Sequence, residues 1–250
     1  MKQQILAIDP DPRGVRSTQS ACEDFFELLF HGYDTDLEAA MAGSSIGVAV
    51  VDVTVESGLR VCEYLRSRWP DVPTIAVSAS AALDIELAAY RAGVVDFVPK
   101  PLVPELFVQK CRLALNPLFP SLSSNPRILA VDDNRFDREL IREVLGDEYE
   151  VFCAATGSEA LWLCLQERPD LVLLDVILPD QSGIEVCRAI RASPSMDAVP
   201  VVFVSHRTMV CAQLEGLRAG GTDYIPKPIA VPVLRRRLRC LLRGPAGVYG

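Results

Sequence analysis

Short apolar runs alternate with stretches of helical period along most of the chain. In its C-terminal half, apolar runs of four or five residues predict strands at 127–131, 149–153, 170–174, 200–204 and 223–226. Apolar residues recur every three or four positions in the intervening segments, which predicts helices at 135–145, 157–167, 183–193, 211–220 and 232–243. Continuous apolar strands separated by helices are typical of a parallel sheet covered on both faces.

The N-terminal half repeats this pattern, so the chain contains a duplication. The stretch ILAIDPD at 5–11 resembles ILAVDDN at 128–134, and the likeness continues to the last strand. The second copy carries four extra residues, two of them directly after its third strand. A Pro- and Ser-rich stretch without amphipathic period predicts the linker between the copies. The expected segments are a first domain at 1–117, a linker at 118–125, a second domain at 126–243 and a tail at 244–250.

Polar side chains follow the strands of the second copy where those strands end. The carboxyl ends of the strands in a doubly wound sheet form one rim, at which ligands bind. We therefore expect the residues at these strand ends to converge, although they are far apart along the chain. They are Asp132, Asp133, Asp175, Ser205 and Lys227.

The chemistry of these residues indicates a metal and a phosphate. Three carboxylates at one rim repel one another, and their burial is unfavourable unless a cation neutralises them. Mg²⁺ prefers oxygen ligands and typically binds one or two carboxylates together with a phosphate. The hydroxyl of Ser205 and the ammonium of Lys227 then indicate where the phosphate lies, and Asp175 is a candidate to attack phosphorus.

This set of residues resembles the receiver domain of bacterial two-component response regulators. The acidic pair, the strand-end aspartate, the hydroxyl and the lysine followed by proline occur in order, and the loop DVILPDQSG has the family's spacing of Asp, Pro and Gly. The resemblance implies an α/β fold with two tandem (βα)5 domains of the flavodoxin-like, CheY-like type. Each domain is then a doubly wound parallel sheet of five strands in the order 2-1-3-4-5.

The resemblance also assigns the metal site and the phosphoacceptor. Asp175 matches the family's phosphoacceptor, and Asp132 and Asp133 match its acidic metal pair. The backbone carbonyl of Ile177 is the further metal ligand that the family implies. We expect one Mg²⁺ for each intact receiver site.

Other residues match the groups that respond to the phosphoryl group. Ser205 and Lys227 match the hydroxyl and the lysine that contact it, and Tyr224 matches the aromatic switch on strand five. The bond between Lys227 and Pro228 is expected to be cis, as it usually is in the family. The implied donor is a histidine kinase or a phosphotransfer protein. The implied output surface is helix four, strand five and helix five of the second domain, and this surface admits a homodimer.

The first copy departs from the family pattern at the metal site. Asp9, Asp52, Ser78 and Lys100 remain, but Pro10 replaces the second acid of the pair. The loop after Asp52 is also two residues shorter. We therefore predict a degenerate first site that binds Mg²⁺ weakly and takes little or no phosphate, in a pseudo-receiver that contacts the second copy or a partner.

Two nearby acids are alternatives for the ligand that the first copy lacks. Asp11 directly follows Pro10, and Glu56 lies in the loop after Asp52. The sequence leaves open whether either carboxylate reaches the site.

Composition limits the location and the partners. The 250 residues are 50% hydrophobic and carry a net charge of −8. They contain neither an apolar run long enough to cross a bilayer nor a secretory leader, which predicts a cytoplasmic protein without a membrane partner. The acidic balance argues against direct nucleic-acid binding through a broad basic face. The eight cysteines have no metal-ligand spacing and are typical of a reducing compartment.

Three outputs are compatible with the sequence. The chain is a stand-alone tandem receiver that signals by protein contact or serves as a phosphate sink, or it is the N-terminal part of a longer regulator whose output is, for example, a diguanylate cyclase domain. The third alternative is a metal-dependent phosphatase with an aspartyl phosphate intermediate. That class expects a second aspartate two residues after the nucleophile, where Ile177 and Thr54 stand. We therefore predict a phosphoacceptor module rather than an enzyme.

Overall fold

The computed structural model describes residues 2–33, 36–42, 45–115, 125–206 and 210–243. Almost all of the predicted linker and the whole of the predicted tail lie outside the described residues. Contacts between residues divide the chain into two compact units, Met1–Pro120 with Arg236–Gly250, and Ser121–Arg235. This division groups residues 236–243, from the predicted second domain, with the first unit.

The first unit alternates strands and helices. Its strands are β1 Gln3–Ile8, β2 Phe26–His31, β3 Ile46–Asp52, β4 Thr74–Ser78 and β5 Asp96–Pro99. Its helices are α1 Pro12–Cys22, α2 Leu37–Met41, α3 Glu56–Arg68, α4 Leu83–Ala92 and α5 Pro104–Leu115. The strands pair in parallel in the order β2-β1-β3-β4-β5.

The second copy repeats this arrangement. Its strands are β6 Arg127–Val131, β7 Glu150–Ala154, β8 Leu171–Leu174, β9 Val201–Ser205 and β10 Asp223–Pro226. Its helices are α6 Arg135–Leu145, α7 Gly157–Glu167, α8 Gly183–Ala192, α9 Val210–Arg218 and α10 Val231–Arg243. The parallel order β7-β6-β8-β9-β10 is again 2-1-3-4-5, so the predicted fold and strand order are confirmed for both sheets.

Most predicted elements differ from the observed ones only at their ends. The predicted helices 135–145 and 157–167 coincide with α6 and α7. The predicted strand at 149–153 begins one residue too early, because the Tyr149 N–H donates to the Leu145 carbonyl in the turn that ends α6. That N–H is therefore committed to the helix end rather than to the strand ladder.

The apolar runs form a separate core in each unit. Phe107 is fully buried in the core of the first unit, and Phe203 in that of the second. A fully buried side chain of this size contributes about 1.5–3 kcal/mol relative to an exposed one. None of the described helices is long and apolar enough to span a bilayer.

The described cysteines serve as small apolar side chains in these cores. Seven are described, all are free thiols and most are buried. Burial raises the pKa of the Cys62 thiol to about 12, so this group stays neutral near pH 7. A neutral buried thiol packs as a small hydrophobic group.

A glycine brings one helix of each unit against the end of the third strand. A Cβ at Gly58 would lie 1.9 Å from the carbonyl oxygen of Asp52, and one at Gly183 would lie 1.9 Å from that of Asp175. Only glycine permits this approach. The start of α3 and the start of α8 therefore pack on the two aspartates that the sequence singled out.

Candidate functional site

Three carboxylates converge at the rim of the second sheet. Asp132 directly follows β6 and Asp175 directly follows β8. Together with Asp133, each offers one oxygen, and these oxygens lie within 4.8 Å of one another. Asp132 and Asp175 are buried and Asp133 is exposed. Within the described part of the chain, no other group of three acids, histidines or cysteines comes this close together.

Backbone hydrogen bonds orient the two buried carboxylates. The Asp175 N–H continues the sheet by donating to the Val131 carbonyl. One carboxylate oxygen of Asp132 accepts the Asn134 N–H at 2.9 Å, and one oxygen of Asp175 accepts the Ile177 N–H at 3.1 Å. Each of these bonds closes a local turn of the kind that aspartate favours after a strand. The second oxygen of each carboxylate remains for the pocket.

The ammonium of Lys227 lies among these second oxygens. Its Nζ is 2.6 Å from Asp132 Oδ2, 2.7 Å from Asp175 Oδ2 and 2.8 Å from Asp137 Oδ2. Burial acts to lower the pKa of Lys227, but its hydrogen bonds to Asp132, Asp137 and Asp175 raise that pKa above its ordinary value. Lys227 is therefore a fixed positive charge in the pocket.

Ser205 and Tyr224 occupy the neighbouring strand ends. Ser205 is the buried last residue of β9, and its carbonyl accepts the Lys227 N–H at 2.9 Å. Tyr224 is half-buried, with its ring centroid 6.2 Å from that of Phe203. The predicted cis bond between Lys227 and Pro228 is confirmed, and the first unit has its counterpart at Lys100. The role of Tyr224 as a switch stays a prediction.

The donor set of the pocket fits Mg²⁺. The ligand atoms are carboxylate oxygens, which this ion prefers, and the exposed position of Asp133 leaves one side accessible to water. Burial raises the pKa of Asp132 above its usual value, despite the bond from Lys227. A further cation relieves that penalty, because it stabilises the ionised carboxylate. The carbonyl of Ile177 as a ligand stays a prediction.

The equivalent site of the first unit has one lysine and fewer acids around it. Lys100 Nζ lies 2.7 Å from Asp9 Oδ2 and 2.6 Å from Asp52 Oδ2. Ser78 is fully buried at the end of β4. The structure thus brings together the first-copy residues that the sequence predicted, but with one acid fewer at the rim, where Pro10 stands.

Thr54 occupies both oxygens of Asp52. Its N–H donates to Asp52 Oδ1 at 2.8 Å, and its hydroxyl lies 3.1 Å from Asp52 Oδ2. The same hydroxyl accepts the Ala79 N–H at 3.1 Å. Together with Lys100, this chain's own donors therefore cover the carboxylate.

The two acids left open as substitutes in the first copy are engaged elsewhere. The carboxylate of Asp11 accepts the Arg13 N–H and lies 3.0 Å from the Arg13 guanidinium. The carboxylate of Glu56 lies 2.7 Å from the Arg60 guanidinium. Both contacts lie at the first turns of α1 and α3, and among the described residues neither acid joins Asp9 and Asp52 in a cluster of three potential metal ligands.

Comparison with known families decides the class of protein. The family model of the response regulator receiver domain matches residues 5–112 and 128–239, which together make up most of the chain. The chain belongs to the receiver domain family. Receiver domains are signalling modules and not themselves enzymes, so the chain carries two tandem modules of two-component phosphoacceptor signalling.

Similar proteins cover only part of the chain. Response regulator MprA of Mycolicibacterium vanbaalenii is 45% identical over 118 residues, which are 47% of this chain and 50% of that relative. The protein of the same name from Mycobacterium leprae is 44% identical over 118 residues, 47% of this chain and 51% of the relative. The chain spans about half the length of these curated relatives.

Solved receiver structures match over a similar share. A putative response regulator from Chloroflexus aurantiacus is 33% identical, with 47% of this chain and 98% of that chain covered and a TM-score of 0.46. The receiver domain of sensor histidine kinase PA1611 from Pseudomonas aeruginosa is 29% identical, with 47% and 98% covered and a TM-score of 0.45. The PA1611 receiver has a magnesium ion coordinated in its active site cleft.

Sequence reasoning missed several residues of both pockets. Asp137 contacts Lys227, and the Tyr33 hydroxyl donates to the Asp52 carbonyl at 2.6 Å. Asp137 had a detectable signal, because it shares the apolar face of α6 with Ile141 at helical spacing. Tyr33 had none, since a tyrosine after a strand is compatible with many environments.

Proposed function

We propose that Asp175 accepts a phosphoryl group from the phosphohistidine of a histidine kinase or phosphotransfer protein. The observation that supports this most strongly is the convergence of Asp132, Asp133 and Asp175 within 4.8 Å, with the Lys227 ammonium bonded to two of them. In the transfer, a carboxylate oxygen of Asp175 forms a bond to phosphorus while the bond from phosphorus to the imidazole nitrogen breaks. The electron pair of that bond leaves with the imidazole.

The other side chains of the pocket bind and orient the phosphoryl group. Asp132, Asp133 and Asp175 would hold one Mg²⁺, which when bound neutralises negative charge on the phosphoryl oxygens. Lys227 donates to one phosphoryl oxygen as a point charge. The hydroxyl of Ser205, at the adjacent strand end, donates to another.

Phosphorylation then changes the surface near β10. The added charge recruits Ser205 and Lys227, and the Tyr224 ring moves in against the sheet. Helix α9, strand β10 and helix α10 form the surface that a partner reads. A homodimer through this surface and the absence of direct nucleic-acid binding both remain predictions.

The first unit acts as a pseudo-receiver. Three observations support this: Pro10 replaces an acid, Thr54 covers Asp52, and Asp11 is bonded to Arg13. Without a second acid the site lacks the charge that attracts Mg²⁺, so Asp52 takes little or no phosphate. The unit then serves as a contact surface rather than as a phosphate acceptor.

The receiver pair signals from the cytoplasm, where phosphohistidine donors of two-component systems act. A stand-alone tandem receiver and the regulatory part of a longer protein both use the pocket in the same way. A phosphatase is disfavoured, because Ile177 stands where that class has a second aspartate and its side chain is exposed. The length of the native reading frame separates the first two alternatives.

Intact-mass analysis tests the proposal directly. The chain is incubated with Mg²⁺ and acetyl phosphate, and we expect one added phosphate that is abolished by a chelator. Asp175→Asn should lose the label and Asp52→Asn should keep it. Asp147→Asn, the same change at an exposed acid of the second unit, is the matched control and should be labelled like the wild type. Label that persists in Asp175→Asn would overturn the proposal.

A further inference from the structure

We propose that Asp137 is a positioning residue that lowers the reactivity of the second pocket by holding the ammonium of Lys227. The inference rests on the proposed function of Asp175 as phosphoacceptor and adds a determinant of its rate. Asp137 competes with the phosphoryl group for Lys227 and repels that group. Removal of this single carboxylate should therefore favour the phosphorylated state.

The contacts of Lys227 leave no donor for a new partner. An ammonium has three N–H donors, and Lys227 Nζ already lies within 2.8 Å of Asp132, Asp175 and Asp137. Its side chain is 4% exposed, so bulk water has little access to the ammonium. A phosphoryl oxygen binds this ammonium only by displacing or sharing one of the three carboxylates. Asp137 is the one that is neither the acceptor nor in the acidic cluster.

The position of Asp137 in α6 combines the start of the helix with its buried face. It lies in the first turn, on the same face as the buried Ile141 and Leu145. A carboxylate near a helix N-terminus is favoured by the helix dipole, which is the simplest structural explanation. However, the cap of α6 is Asn134, whose side chain accepts the Phe136 N–H. The Asp137 carboxylate instead bonds Lys227, with a side-chain exposure of 25%.

The first unit provides an internal comparison. Gly14 lies five residues after Asp9, as Asp137 lies five residues after Asp132. A Cβ at Gly14 would lie 1.9 Å from Asp9 Oδ2, so the carboxylate of Asp9 occupies the space that a side chain there would need. Lys100 in that unit bonds Asp9 and Asp52 but has no third acid at the matching position. The extra carboxylate therefore belongs to the copy that has the full acidic cluster.

Electrostatics gives the sign of the effect. Phosphorylation replaces one negative charge on Asp175 by nearly two. Asp137 and Asp175 bind the same ammonium, so their carboxylates are close, and like charges at such separations destabilise each other. Neutralising Asp137 removes this repulsion and weakens its hold on Lys227, because an amide oxygen accepts a weaker hydrogen bond from an ammonium than a carboxylate does. The phosphoryl transfer to Asp175 should become faster, and the loss of the phosphoryl group to water, which releases inorganic phosphate, should become slower.

The test measures the rate of phosphate addition from acetyl phosphate at saturating Mg²⁺. The phosphate on Asp175 is recognised by its loss in Asp175→Asn. In the transfer, a P–O bond forms at Asp175 and the bond from phosphorus to acetate breaks, with acetate leaving. Asp137→Asn keeps the shape of the side chain and removes its charge. We expect an increase of about fivefold in this rate, the factor that about 1 kcal/mol of ion-pair energy represents. The label should also persist longer after removal of the donor.

Two further variants separate positioning from structure. Asp137→Glu keeps a carboxylate and should retain a rate close to that of the wild type. Glu139→Gln removes one charge from the exposed face of the same helix, where Glu139 bonds Arg135, and should change the rate less than twofold. If the wild type takes phosphate and Asp137→Asn takes it at the same rate, this inference is overturned while the proposed function of Asp175 stands. A wild type that takes no phosphate would overturn the proposed function and this inference with it.

Discussion

The hydroxyl of Thr54 joins two strand ends of the first unit. It bonds Asp52, the last residue of β3, and accepts the Ala79 N–H just after β4. In the second unit, the residue two positions after the acid is Ile177, which has no hydroxyl and exposes 60% of its surface. The side chain at this position therefore contacts the carboxylate in the first copy through a hydroxyl, whereas in the second copy only the backbone N–H of the equivalent residue does so.

Replacing Thr54 by valine should release this link. Valine keeps the β-branched shape but cannot accept a hydrogen bond, so the Ala79 amide loses its partner. We expect hydrogen exchange of that amide to accelerate about tenfold, the factor that about 1.4 kcal/mol represents. Thr54→Ser keeps the hydroxyl and is the control, for which exchange should stay near the wild-type rate. Unchanged exchange in Thr54→Val would show that another group protects this amide.

The sequence predicted which residues reach the rim but not all of their contacts. Asp132, Asp175 and Lys227 were predictable, because parallel strands end at one edge and place whatever follows them together. The engagement of Lys227 by Asp137 was not, since these two residues lie far apart along the chain and meet only in the folded unit. Whether a carboxylate meets a lysine also depends on side-chain rotamers, which a linear pattern does not specify.

The longer loop of the second copy provides an anchor between elements. Asp180, in the stretch that follows Asp175, accepts the N–H groups of Gly157 and Ser158 at 2.8 and 2.9 Å. These groups begin α7, so the loop is tied to the positive end of that helix. The first copy has two residues fewer in this loop.

Acid should weaken this anchor. Hydrogen bonds from the Ser158 and Gly157 N–H groups lower the pKa of Asp180 to about 2. Since the unfolded-state pKa is about 3.9, the contribution of Asp180 is fully present above that value and is lost as pH falls towards about 2. We expect Asp180→Ala to lower stability in urea at pH 6 and to differ less from the wild type at pH 3. The exposed Asp147→Ala should show no such convergence.

A capping box stabilises the start of α8. The Ser182 hydroxyl accepts the Ile184 N–H, and the Glu185 carboxylate accepts the Ser182 N–H. Ser182→Ala should reduce the free energy of unfolding by about 1 kcal/mol, measured by urea denaturation. Ser195→Ala, at an exposed position beyond the helix, should change it by less than half as much. Equal losses would argue that the cap contributes nothing specific.

Element ends were the least predictable part of the fold. Apolar periodicity located the helices of the second copy because their buried faces are continuous. The start of β7 was placed one residue early, since Tyr149 is 2% exposed and extends the apolar run although it belongs to the preceding turn. Hydrophobicity records burial, whereas strand ends depend on which N–H groups enter the ladder.

At the scale of the whole molecule, one chain contains two receiver sheets with different pockets. The second pocket gathers four carboxylates near Lys227 when Asp137 is included, whereas the first gathers two around Lys100. A divalent cation is attracted to the pocket with the larger uncompensated negative charge. The duplication has therefore kept the fold in both copies and concentrated the candidate metal-dependent chemistry in one.

If Pro10 and Thr54 account for the difference between the two pockets, replacing both residues should restore metal-dependent phosphorylation in the first pocket. Pro10→Asp supplies the missing acid and Thr54→Val uncovers Asp52. We expect the double variant to add a second phosphate in Mg²⁺ and acetyl phosphate, with each single variant adding clearly less. The second phosphate should disappear when Asp52→Asn is added. A double variant that gains a second Mg²⁺ by titration calorimetry but no second phosphate would assign the block to the shorter loop after Asp52 instead.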